Sequence, residues 1–111
     1  MIVLADRWTI IVLSVNNDGE RVDYLARIRS ALLADGFDAW TESPSFGYWR
    51  GRGEEGTTIT LYLPAPASGE DAARSAVFER LTTIAKESQP DQNSVFISCD
   101  PAATLHAGKV H

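Results

Sequence analysis

The chain has 111 residues, 44% hydrophobic and 23% charged, proportions that suit one ordinary globular domain and exclude a large multi-domain enzyme. Ten Lys and Arg against fifteen Asp and Glu leave a charge of −5, which repels polyphosphate and argues against nucleic acid as a partner. One cysteine, Cys99, excludes an internal disulfide, and the longest apolar run, Ile10 to Leu13, is far below the roughly 20 residues that cross a bilayer.

Trp8 to Val15 is rich in β-branched residues and apolar on both parities, which predicts a central first strand. Asn17 stands three residues before Glu20 in a capping-box arrangement, and Val22, Leu25, Ile28 and Leu32 recur at helical spacing until Gly36 supplies a stop. A first helix over 19–35 follows, its solvated face carrying Glu20, Arg21, Asp23, Arg27 and Arg29. A short second strand is expected from Phe37 to about Glu42.

Thr57 to Leu63 alternates cleanly, with Ile59, Leu61 and Leu63 on one face and Thr58, Thr60 and Tyr62 on the other; Pro64 and Pro66 end it. Ser68 followed by Asp71 marks the start of a second helix, in which Ala73, Val77, Leu81 and Ile84 form the buried stripe before Pro90. The fourth strand is expected over 94–99. Beyond it, residues 101–111 are small and have little to pack, so a flexible tail is expected after a single domain over 1–100.

Strand, helix, strand, strand, helix, strand is the split βαβ arrangement, and two right-handed crossovers place both helices on one face of the sheet. The expected fold is therefore an α+β ferredoxin-like plait with a four-stranded antiparallel sheet. Its other face would carry Thr58, Thr60 and Tyr62, joined by Trp40 and Phe96. So much aromatic surface predicts a covered face and hence a homo-oligomer, dimer or trimer, packed through sheets or strand edges.

Residues 43–56 read as a loop too long for a tight hairpin, with three aromatics in four positions: Phe46, Tyr48 and Trp49. They are expected to dock on their own core, on a neighbouring subunit or on a ligand. Gly51-Arg52-Gly53-Glu54-Glu55-Gly56 matches G-x-G-x-x-G, but a strand follows where a dinucleotide site needs a helix, and Glu54 and Glu55 repel phosphate. Glycines that let the backbone turn and bulge are the simpler reading. Arg50 and Arg52 beside Tyr48 and Trp49 suit an Arg–Glu contact across a subunit boundary. The candidate ligand or interface residues are thus Trp40, Phe46, Tyr48, Trp49, Arg50, Arg52, Glu54, Glu55 and Tyr62.

Tyr48-Trp49-Arg50-Gly51-Arg52-Gly53-Glu54-Glu55, followed by an alternating strand, resembles the Tyr-Trp-x-Gly-x-x-Glu hairpin of the CutA divalent-ion tolerance proteins. These are small ferredoxin-like trimers related in architecture to the PII signal proteins. The resemblance implies a trimer, while the first residues, which lack the basic start and small-residue cleavage site of a secretory signal, lead to the separate expectation of a cytoplasmic location. Where that family has a cysteine near the second strand this chain reads Gly36-Phe37-Asp38-Ala39, and its His-Pro-Tyr segment appears as Gln89-Pro90-Asp91. Leu25-Ala26-Arg27-Ile28 leading to Leu32 and Gly36 is similar to the first helix of ACT regulatory domains.

No constellation names a reaction. Cys99 stands apart from His106 and His111, which fall in the expected tail, so neither a metal site nor a triad is drawn and no cofactor is expected. Glu54 and Glu55 are adjacent, point apart on an extended segment and make no dyad. Acylphosphatases share the expected topology, yet Asn16-Asn17-Asp18-Gly19 after the first strand is acidic where a phosphate cradle would be basic. The expected function is a non-enzymatic regulatory or binding module acting as a homo-oligomer, with a small molecule or protein as further partner. One alternative is a small cofactor-free enzyme of the dimeric α+β barrel kind, its pocket lined by Trp8, Trp40 and Tyr62. Another is a viral or mobile-element adaptor that blocks a host protein.

Overall fold

A computed structural model describes residues 2–66, 71–92 and 94–107. The element order is β1 (Ile2–Leu13), α1 (Tyr24–Ala34), β2 (Thr41–Trp49), β3 (Arg52–Pro64), α2 (Asp71–Ser88) and β4 (Phe96–Ala107). The strands form one antiparallel sheet in the order β2-β3-β1-β4. This is the expected α+β ferredoxin-like plait.

Strand parity decides the two faces. Trp8, Ile10 and Val12 of β1 and Ile59 and Leu61 of β3 point to the helix side, where they are buried with Tyr24, Ile28 and Leu32 of α1 and Leu81, Ile84 and Ala85 of α2. Both helices therefore cover one face, and truncating any of the large members would cost about 2–5 kcal/mol. The opposite face carries Thr9, Thr58, Thr60 and Ser98 across its middle, with Ile11, Tyr62 and Phe96 exposed among them. It is richer in hydroxyls than in aromatics. Trp40 does not join it: this residue packs against the helix-side core.

Several boundaries differ from the sequence expectation, each for a local reason. Helix α1 starts at Tyr24, where the Asp23 carboxylate accepts the Ala26 N–H at 3.0 Å. The expected cap, Asn17, instead donates its side-chain nitrogen to the Asp91 carbonyl, and Asn16 closes the turn before the helix, its side-chain oxygen accepting the N–H groups of Asp18 and Glu20, both at 2.9 Å. The Ser68 cap expected for α2 lies outside the described residues.

The expected loop over 43–56 is a hairpin arm. Pairing is unbroken from Thr41↔Thr60 to Trp49↔Arg52, so β2 starts four residues and ends seven residues later than the strand expected at 37–42. Pro44 is tolerated because β2 is an edge strand with no neighbour on its outer side. At the tip Arg50 and Gly51 both have positive φ, 51° and 77°, the requirement of a type I′ two-residue turn.

Strand β4 runs on to Ala107, opposite Ile2, so residues 101–107 are strand and not a loose tail. The ladder slips once, between Ala5 and Arg7, and Asp6 sits at the slip with 2% exposure. Its carboxylate accepts the Ala102 N–H at 2.7 Å and two guanidinium bonds from Arg74, at 2.9 and 3.1 Å. That buried pair holds the far half of β4 to β1 and ties α2 across both. Among the described residues no helix is long and apolar enough to cross a membrane.

Candidate functional site

In this topology the C-terminal ends of β1 and β2 and the N-terminal ends of β3 and β4 share one edge of the molecule. The β1–α1 turn, the hairpin arm and the α2–β4 turn converge there around a cleft of about 480 Å³. Strand β1 contributes Ile11 and Leu13, and β4 contributes Phe96 with Ser94 just before it. The arm contributes Phe46, Tyr48, Arg50 and Glu54, and the two turns contribute Asn17 and Gln92. A volume of this size, part aromatic and part polar, is within the range of small-ligand sites.

Phe46 and Tyr48 are two positions apart on β2 and share a face, with their rings edge to face at 5.3 Å between centroids. Gly53 is the seat of Phe46: a Cβ there would meet the ring carbon Cζ at 2.4 Å. Gly56 serves another contact, since its Cβ would lie 2.5 Å from the Val12 carbonyl oxygen. The three glycines of the G-x-G-x-x-G match therefore have three separate purposes: turning the tip, seating a ring and letting β3 approach β1. None opens a bulge, because the β2–β3 register has no slip.

Phe46 and Tyr48 do not cap their own core; the Trp49 side chain lies outside what the structure describes. Phe46 is 60% and Tyr48 75% exposed, on an arm whose β2–β3 pairing is unbroken.

Behind the cleft the two turns are cross-braced. The buried Tyr24 hydroxyl donates to the Asp91 carboxylate at 2.8 Å, and burial, then this bond, raises the phenol above its ordinary range. Gln89 accepts the Leu13 N–H at 3.3 Å, and Gln92 donates to the Val15 carbonyl at 2.8 Å. The Asn17 side-chain nitrogen donates to the Asp91 carbonyl.

The sequence-predicted residues divide accordingly. Phe46, Tyr48, Arg50 and Glu54 meet at the cleft. Glu55 stands opposite Phe46 in the β2–β3 ladder and so shares its face, with Arg21 of its own chain 3.6 Å away, so an Arg–Glu contact exists within the subunit. Trp49 pairs with Arg52 at the base of the tip turn. Tyr62 lies toward the opposite end of the sheet, beside Arg7. Trp40 donates its indole N–H to Glu42 at 2.9 Å, and Arg29 grips the same carboxylate at 2.5 and 2.8 Å. Arg29, then Trp40, hold Glu42 down to about 2.

Trp8 is buried on the helix side and Tyr62 lies on the other face, so the barrel-type pocket expected from Trp8, Trp40 and Tyr62 is not formed within the chain. Ile11, Leu13, Asn17, Gln92, Ser94 and Phe96 were not foreseen as site residues. Only strand order brings the ends of β1 and β4 to the arm. Among the described residues no cluster of three or more His, Cys, Asp or Glu could hold a metal.

No protein-family model matches the chain, and no curated protein matches it. Its structure is similar to that of a phage SAM lyase in complex with S-methyl-5'-thioadenosine, at 14% identity and a TM-score of 0.60. The likeness covers 94% of this chain and 86% of that one, and it establishes a shared fold.

Proposed function

We propose that this chain is a binding module that assembles with copies of itself, the hairpin arm and open sheet face closing against neighbours so that the cleft becomes a ligand site at a subunit boundary. The observation that carries this reading is the pair Phe46 and Tyr48: two large rings left mostly in water on an arm whose two strands pair with each other without a break. Rings in that position lose solvent-exposed area only by contact with something outside their own core. Phe96, also exposed, lines the same cleft from the open sheet face. The resemblance of the tip to the CutA hairpin points to a trimer.

Light scattering coupled to size exclusion tests the assembly. A dimer or trimer is expected, and Phe46→Ser with Tyr48→Ser should shift it toward the single chain. A monodisperse monomer for the unaltered protein overturns the reading.

A second reading, an enzyme, is favoured by the likeness to the phage SAM lyase and its nucleoside thioether ligand. The cleft has the volume for such a molecule and offers both rings and polar groups. Incubation with S-adenosylmethionine, followed by chromatography for S-methyl-5'-thioadenosine, separates the two readings: product release supports the enzyme, and binding without turnover supports the module.

A further inference from the structure

Two side chains of the cleft wall, Asn17 and Gln92, are each fixed in orientation by groups that accept hydrogen bonds and never donate them. The Gln92 nitrogen donates to the Val15 carbonyl at 2.8 Å, and the Asn17 nitrogen donates to the Asp91 carbonyl. A main-chain carbonyl has no proton to give, so it must face the NH₂ end of each amide. The amide oxygens are then the ends left for the cleft that both residues line. The brace behind them is stiff: Tyr24 is buried, donates to the Asp91 carboxylate at 2.8 Å and receives a 3.5 Å contact from the Gln92 nitrogen.

The wall thus presents two oriented neutral acceptors beside aromatic rings. Taking the cleft to be a ligand site, as in the reading above, we infer that it recognises a flat heterocycle bearing an exocyclic amino group, the chemistry of an aminopurine or aminopyrimidine base or nucleoside. A ring –NH₂ has two protons for the two oxygens, and being uncharged it needs no ionic partner. The ring itself lies against Phe46 or Phe96, since every base has a face that stacks. A ring carbonyl in the same place would oppose lone pairs to lone pairs and leave both acceptors unmatched. Glu54 beside Arg50 leaves the cleft without a net positive charge to draw phosphate, which favours the base or nucleoside over the nucleotide.

The test compares adenosine with inosine, in which an oxo group replaces the 6-amino group, by titration calorimetry on the full chain. Adenosine should bind at least about tenfold more tightly, as expected when a polar site loses its matching group. Equal affinities, or binding of neither at millimolar concentration, overturn the inference. Asn17→Leu and Gln92→Leu should bring the ratio close to one in variants whose thermal unfolding remains cooperative; an unchanged ratio in such a variant also overturns it. Solution mass is measured on the same samples. An assembled chain indifferent to the amino group refutes this inference alone, whereas a monomer that prefers adenosine refutes the assembly and leaves this inference standing.

Discussion

Asp6 has the most to lose from a single-atom change. It is buried at the slip in the β1–β4 ladder, and its carboxylate satisfies Arg74 and the Ala102 N–H together. Asp6→Asn keeps the shape but removes the charge that Arg74 needs, and breaking a buried pair from one side costs about 3 kcal/mol or more. Urea unfolding of the variant should show that loss, with Asp6→Asn and Arg74→Met together losing less than the sum of the single changes. Gly53 poses a different steric problem. An added Cβ meets only the Phe46 ring, which is exposed and can swing away, so Gly53→Ala should leave stability nearly unchanged while altering the ring's position in the cleft. Loss of the Phe46 ring-current shifts in an NMR spectrum would report it. By contrast the neighbour of Gly56 is the Val12 main chain, which cannot move aside. Gly56→Ala should cost about 1–3 kcal/mol, read from the same urea unfolding curves.

At the scale of elements, the arm is the feature that organises the site. Its turn places Gly51 at φ 77° with open space around the Cβ position, so Gly51→Ala pays only for backbone conformation, about 1 kcal/mol in a thermal melt. Helix and strand periodicity made the plait legible: β3 alternation, the α1 stripe of Ile28 and Leu32, and the Leu81 and Ile84 stripe of α2 are all where their spacing implied. The arm was not legible as strand. Pro44, Gly47, Gly51, Gly53 and Gly56 are breakers by local propensity, and cross-strand pairing outweighed them because each sits at an edge, a turn or a close approach. The extension of β4 was hidden for a related reason. Small residues such as Ala102 and Ala103 have little strand preference of their own; the Asp6 carboxylate holds the Ala102 N–H at the slip, and pairing with β1 resumes at Thr104.

At the scale of the whole molecule, two carboxylates make stability depend on acidity. Arg29 and Trp40 hold Glu42 down to about 2 from an ordinary 4.5, and Arg74 holds Asp6 below its ordinary 3.8 against the opposing effect of burial. A depressed carboxylate contributes fully above its unfolded value and loses that contribution as the pH falls through its folded value. The melting temperature should therefore be flat from neutrality to about pH 5 and fall steadily from there toward pH 2. Glu42→Gln should flatten the part of that fall belonging to Glu42. Its cost at neutral pH should be only about 1 kcal/mol, because Arg29 is half exposed and solvent screens the pair.

From its sequence alone this protein's class of fold was determined, because hydrophobic periodicity and element order leave few ways to cover one sheet with two helices. The aromatic composition of the arm was legible too, and with it four of the residues that meet at the cleft. Tertiary structure alone decided which partners those residues have. Strand order brings the ends of β1 and β4 beside the arm, and the acceptor-only carbonyls of Val15 and Asp91 orient Gln92 and Asn17 from behind. Such contacts join residues about 75 positions apart, and no local pattern encodes a distance closed only by the folded chain.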